Sequence, residues 1–192
     1  MSTHPPRESH GMFERIKRQL EHEFLAIERN STLTEDQKVS RLIKTTATIC
    51  AAVAAQPIPF ADMPILTAIQ GIMGYKISQV RGVPVTKEGI AEILKYIGGV
   101  VGLGFAAQQT AIGLYKLGLP GLGGLMTIPL VFGLTYGIGR AIDVYFVYKR
   151  QGKRPPDEVI LAAFKAGKRE SRAAARTRLP AVIGGEDRER GS

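Results

Sequence analysis

The feature that most constrains this chain is a nearly charge-free stretch from Tyr96 to Gly139. It contains 44 residues, of which Lys116 alone is charged and twelve are glycine. A helix on the surface of a soluble protein normally has a polar face, and this stretch has almost none. It is therefore either buried on all sides by its own protein or in contact with lipid. Glycines inside helices cost about 1 kcal/mol each unless packing requires them, which favours membrane contact over a soluble core.

Two glycine pairs in this stretch predict close helix pairing. Gly98 and Gly102 form one pair, and Gly133 and Gly137 form the other, each with three residues between its members. Small residues at this spacing let two helix backbones approach closely, which favours association in lipid. These four glycines are the candidate membrane-contact and helix-pairing residues. Tight packing inside a soluble bundle is the alternative interpretation.

The same stretch predicts an apolar hairpin over residues 96–139, with its tip near Leu117–Gly124. A membrane-spanning helix needs about twenty apolar residues. The first arm nearly satisfies this length, but the second arm ends at Arg140 after a short apolar run. Arg140 and Asp143 are three residues apart on one helix face, so they can form a polar pair. Two complete spans are therefore not established, and partial insertion and a buried hairpin both stay open.

Hydrophobic periodicity over the rest of the chain predicts an all-α fold of five or six helices. Thr34 and Gln37 form a capping-box pattern at the start of the second helix. Asp62, which follows a proline-containing break, is predicted to cap the third helix. The predicted helices begin near Met12, Thr34, Asp62, Thr86, Thr127 and Asp157.

Segment composition predicts how the chain is divided. Residues 1–11 and 179–192 are predicted to be disordered tails. Between them lie an amphipathic helical pair at 12–55, a helical domain with the apolar hairpin at 56–148, and a basic helix at 149–178.

The net charge of +9 is concentrated near the C-terminus. It divides into +1 over residues 1–44, +2 over 45–148 and +6 over 149–192. A basic segment beside an apolar body points first to an anionic membrane surface, and then to nucleic acid or an acidic partner. The predicted lipid contacts are Lys149, Arg150, Lys153 and Arg154, which follow the apolar hairpin directly. A solvated, solubilising tail is the alternative.

The sequence shows no pattern typical of catalysis or cofactor binding. It lacks a phosphate-binding loop with a Lys-Ser/Thr ending. The three histidines, His4, His10 and His22, lie near the N-terminus away from the single cysteine, Cys50. We therefore expect no metal site, no cofactor and no enzymatic activity.

Several ordered blocks resemble a known family. The blocks are PIPFADMPILTAIQ, YKISQVRGVPVTKEGIAEIL, GGVVGLG, LPGLGGLMTIP and TYGIGRAIDVYF. Together, over about residues 45–148, they resemble the GTPase-associated helical domain of the YcjF-like family, whose function is uncharacterised. The resemblance implies membrane association and a GTPase, fused or separate. This chain shows no GTPase domain of its own, so the implied GTPase would be a separate protein.

These observations lead to one main hypothesis and two rivals. The main hypothesis is a non-enzymatic, membrane-associated helical module, acting with a separate GTPase in envelope or stress-related work. We expect it on the cytoplasmic face of a membrane, the inner membrane if the source is bacterial. One rival is a soluble bundle whose basic segment binds nucleic acid or an acidic partner, although nucleic acid is the less expected ligand. The other is a homo-oligomer whose glycine faces pair between chains.

Overall fold

The computed structural model describes residues 7–55, 63–102 and 122–176, and within these ranges the chain is all-α. Six helices occupy the described residues, and no strand is found among them. Their bounds are α1 Arg7–Arg29, α2 Glu35–Ala54, α3 Met63–Val80, α4 Lys87–Val101, α5 Leu122–Arg150 and α6 Asp157–Arg176. The predicted all-α class is thus confirmed.

Two helix starts differ from the sequence prediction. Helix α1 begins at Arg7, so residues 7–11 are helical, and the prediction of a disordered tail was wrong for them. Helix α5 begins at Leu122, several residues before the predicted start, and carries Pro129 inside it. Helix α4 ends at Val101 because Gly102 has φ 73°, a left-handed conformation that favours glycine. Asp62, the predicted cap of α3, and the hairpin tip up to residue 121 lie outside the described residues.

Side-chain caps fix the start of α2. The Gln37 amide N–H donates to the Thr34 hydroxyl at 3.2 Å, and the Thr34 amide N–H donates to Gln37 Oε1 at 3.0 Å. This reciprocal pair satisfies two of the amide donors that a helix start leaves free. The predicted capping box is therefore present.

Helices α3 and α5 end in the same way. Gly82 and Gly152 have φ values of 68° and 70°. Beyond each glycine, a backbone amide donates back across the turn, from Val83 to Ser78 at 2.9 Å and from Lys153 to Tyr148 at 3.0 Å. This hydrogen bond is the one that closes a Schellman motif, and it satisfies carbonyls that the helix end would leave free.

Helix α5 lies at the centre of the bundle. It packs against α2, α3, α4 and α6, while α1 lies outside on α2 and α3. Contacts between Glu35 and Arg150 at one end, and between Ile43 and Gly139 further along, show that α2 and α5 run antiparallel. The fully buried large side chains of the core include Phe24, Leu42, Ile69, Met73, Ile97, Leu134, Ile142 and Phe146.

Candidate functional site

Helices α5 and α6 pack closely enough through their glycines for their backbones to meet. A Cβ built on Gly137 would lie 2.9 Å from the Phe164 carbonyl oxygen, and one built on Gly167 would lie 2.9 Å from Gly137 Cα. On the next turn, a Cβ on Gly133 would approach Ser171 Oγ to 3.2 Å. Real Cβ atoms do not come this close to backbone atoms, so the interface requires glycine at Gly137 and Gly167.

These contacts give the two predicted glycine pairs different roles. Gly133 and Gly137 face α6 of the same chain, so that face of α5 is not free to pair with a second copy. A Cβ built on Gly98 meets none of the described atoms within 4 Å. Its predicted partner, Gly102, is the residue that ends α4 rather than part of a continuous helix face.

The close contact of α6 with α5 leaves a basic face of α6 in solvent. Lys165, Arg169 and Arg172 are exposed and follow one another at spacings of four and three residues. This places them on one side of the helix. Within the described residues, none of the three is joined to a carboxylate by a salt bridge. We call these three residues the α6 basic stripe.

The four predicted lipid-contacting residues lie where α5 passes into α6, and their environments differ. The Arg150 guanidinium lies 2.9 Å from Glu35 Oε2, and both side chains are about half exposed. Arg154 Cζ lies 4.7 Å from the centre of the Tyr96 ring, and Lys149 Nζ lies 5.8 Å from that of Tyr145. Both distances suit a cation–π contact. Lys153 is exposed, and so are the other three residues. All four side chains are therefore accessible to solvent, although three of them contact other residues of the chain.

Tyr96 of α4 contacts the segment between α5 and α6, residues 149–157, which we call the basic joint. Its hydroxyl donates to Asp157 Oδ1 at 2.6 Å and lies 3.2 Å from the Pro155 carbonyl oxygen. Desolvation and the hydrogen bond to Asp157 raise the pKa of the Tyr96 phenol. The position of the basic joint is therefore fixed against the bundle.

A partly buried ionic network around Arg81 joins α2, the end of α3 and α5 beside this joint. Arg81 Nε lies 2.7 Å from Asp143 Oδ1, and Arg81 Nη1 lies 2.7 Å from Asp36 Oδ1. Desolvation opposes the charge on Arg81, but Asp143 and Asp36 outweigh it, so the pKa of Arg81 is raised. Both charges of the buried Arg81–Asp143 pair are hydrogen-bonded, as burial of charge requires.

The predicted pair of Arg140 and Asp143 is present but is not the main contact of either residue. Their nearest charged atoms lie 3.7 Å apart, whereas Arg140 lies 2.8 Å from Glu170 on α6. Sequence reasoning missed Arg81, Asp36 and Glu170, since contacts between distant helices leave no local spacing signal. The one available signal was an arginine beside a glycine turn, which is too common to be diagnostic.

The described residues show no arrangement typical of a metal or thiol site. Within them, no group of three or more His, Cys, Asp or Glu side chains could hold a metal ion. Cys50 is buried, and desolvation raises the pKa of its thiol to about 12 despite a hydrogen bond with Thr135. A protonated, buried thiol is a poor nucleophile, because the thiolate is the reactive form.

Helix α5 contains the end of the apolar stretch for which the sequence left two environments open, lipid and the protein core. Its part from Ile128 to Arg150 is, among the described residues, the one segment long and apolar enough to cross a membrane. However, 72% of that segment's most apolar window is buried inside the folded chain. Burial by neighbouring helices therefore explains the missing polar face of this segment.

Comparison with known proteins gives one relative. The chain is 37% identical over 105 residues to a protein named Magnetosome membrane protein 22 from Magnetospirillum gryphiswaldense. The similarity covers 51% of this chain and 53% of that protein, so the chain matches about half the length of its relative. No family model matches the chain, and no solved structure matches it.

Proposed function

We propose that this chain is a non-enzymatic, membrane-associated helical module that binds an anionic membrane surface. The observation that carries the proposal is the similarity to a protein named as a membrane protein. The α6 basic stripe supports it, since three exposed cations on one face offer a surface for anionic headgroups. The basic joint at Lys149, Lys153 and Arg154 adds further positive charge.

The physical basis of the contact is electrostatic. A basic residue close to an anionic membrane contributes about 1 kcal/mol. That contribution falls off within a Debye length, roughly 8 Å at physiological ionic strength. Three to six cations near the surface thus support reversible, salt-sensitive binding. In this proposal α5 remains in the core while α6 faces the headgroups.

A matched pair of variants tests this contact. The stripe variant Lys165→Gln/Arg169→Gln/Arg172→Gln removes three charges from α6. The control, Arg15→Gln/Arg18→Gln/Arg29→Gln, removes three exposed charges from α1. We expect the stripe variant to bind phosphatidylglycerol-containing vesicles at least tenfold more weakly than wild type, and the control to lose much less. Equal losses in both variants would show that net charge, rather than this surface, controls binding.

A second and more specific proposal is a GTPase partner, and it rests on the family resemblance. We infer a separate GTPase that contacts the helical region of residues 45–148. Affinity capture with the full chain, in the presence of a non-hydrolysable GTP analogue and separately of GDP, should recover a GTPase. Repeated capture without one would remove the basis for this partner while leaving the membrane proposal unaffected.

The soluble-bundle alternative has an observation in its favour. The most apolar helix, α5, is mainly buried within the chain, so the fold does not require lipid to cover it. Under this alternative the α6 basic stripe binds nucleic-acid phosphates or an acidic protein. Titration of the stripe and α1 variants with duplex DNA distinguishes nucleic-acid binding from membrane binding by the α6 basic stripe. Stripe-dependent DNA binding together with unchanged vesicle binding would favour the alternative.

A further inference from the structure

A mainly apolar cleft of about 350 Å³ lies between α3 and α4, with Ile138 of α5 among its lining residues. This volume is at the lower end of the range of ligand pockets in proteins, about 300–1,000 Å³. The cleft lies apart from the α6 basic stripe. Its apolar lining is formed by Ile90, Ala91, Leu94, Ile97, Val101 and Ile138.

Glycines keep this cleft open. Gly71 of α3 and Gly98 of α4 both line it, and a Cβ built on either meets no described atom within 4 Å. The contrast with Gly137, whose built Cβ would lie 2.9 Å from a backbone oxygen, is clear. Glycine in a helix interior is destabilising relative to alanine. Within the part of the chain that the structure describes, no close helix contact offsets that penalty at Gly71 and Gly98, and both positions border the cleft.

Positive charge lies at the rim of the cleft. Lys87 and Lys95 of α4 both line it, whereas the α4 carboxylates Glu88 and Glu92 do not. The two lysines are eight residues apart, which corresponds to about 12 Å along a helix axis. The cleft therefore combines a mainly apolar lining with two exposed lysine side chains.

We propose that this cleft binds a medium-chain fatty acid. The single acyl chain lies along the apolar lining, and the carboxylate pairs with Lys87 or Lys95. The small volume favours one chain over the two chains of a phospholipid. The charge complementarity favours a carboxylate over an uncharged lipid. This site differs in place and ligand from the membrane-binding surface on α6.

Cleft-filling variants test the site in the full-length chain. Lauric acid is titrated by calorimetry into wild type, Gly71→Leu and Gly98→Leu. The matched control is Gly99→Leu, since a Cβ built on Gly99 also meets no described atom within 4 Å but Gly99 does not line the cleft. We expect at least tenfold weaker binding by the first two variants and unchanged binding by the control. Circular dichroism melting confirms that each variant is folded.

Charge variants provide a second readout that does not depend on the leucine substitutions. We expect Lys87→Gln/Lys95→Gln to weaken lauric acid binding roughly threefold to tenfold, as for a partly exposed ion pair, and to leave dodecanol binding unchanged. The α6 stripe variant should bind lauric acid like wild type, which separates this site from non-specific attraction. The proposal is overturned if wild type binds no lauric acid. Equal binding by the Gly71→Leu and Gly99→Leu variants would also overturn it.

Discussion

At the scale of single residues, helix glycines in this chain do two opposite things. Gly137 allows the backbones of α5 and α6 to touch, whereas a Cβ built on Gly71 meets no described atom within 4 Å. The sequence shows both simply as small residues in apolar helices. The spacing of Gly133 and Gly137 did indicate close helix approach, but it could not indicate that the partner is α6 of the same chain.

Alanine substitutions distinguish these two kinds of glycine. We expect Gly137→Ala to lower the free energy of unfolding by about 1–3 kcal/mol, the usual effect of overpacking. The Phe164 carbonyl cannot move without shifting α6. Gly71→Ala should instead raise the free energy of unfolding by up to about 1 kcal/mol, because alanine has a higher helix propensity than glycine. Urea denaturation measures both, and a Gly137→Ala variant as stable as Gly71→Ala would contradict the close contact.

The buried pair of Arg81 and Asp143 gives a second prediction at this scale. Both side chains are about one-tenth exposed, so Arg81→Gln leaves Asp143 without its main partner. We expect a loss of about 3 kcal/mol, typical of breaking a buried ion pair. The matched variant Arg150→Gln breaks a half-exposed pair with Glu35 and should lose no more than about 1 kcal/mol. Similar melting temperatures for the two variants would count against a stabilising role for Arg81.

At the scale of helices, end signals were more informative than helix interiors. Thr34 and Thr86 start α2 and α4 as their sequence patterns predict, because caps depend on residues only three apart. The start of α5 was missed because Thr127 and Pro129 resemble a helix start, yet the helix extends back to Leu122. The apolar face of α5 could not be assigned to lipid or core, since burial by four neighbouring helices removes the polar face just as lipid would.

The capping box of α2 gives a prediction at this scale. We expect Thr34→Ala to cost about 1 kcal/mol of stability, the typical value for a lost helix cap. Gln37→Ala should cost less in the Thr34→Ala background than in wild type, because the two side chains bond to each other's amides. A double-mutant cycle from thermal melts measures this coupling, and strict additivity would argue against a reciprocal cap.

At the scale of the whole molecule, the apolar segment and the basic segment follow each other in the sequence but lie in different parts of the fold. The apolar residues of α5 form the centre of the bundle, and the positive charge of α6 lies on its outside. Sequence alone located the basic segment and its charge. It could not locate the exposed stripe, which depends on which side of α6 packs against Gly133 and Gly137. In the proposed function, this outer basic face is the part that meets a membrane.

Fractionation of cells that express the full chain tests this account most directly. Membranes are pelleted and then washed separately with high salt and with alkaline carbonate. We expect the protein to pellet with membranes and to be released by high salt, because salt screens the α6 charges that hold it there. Protein that stays in the soluble fraction, or that resists both washes as an inserted helix would, contradicts the account.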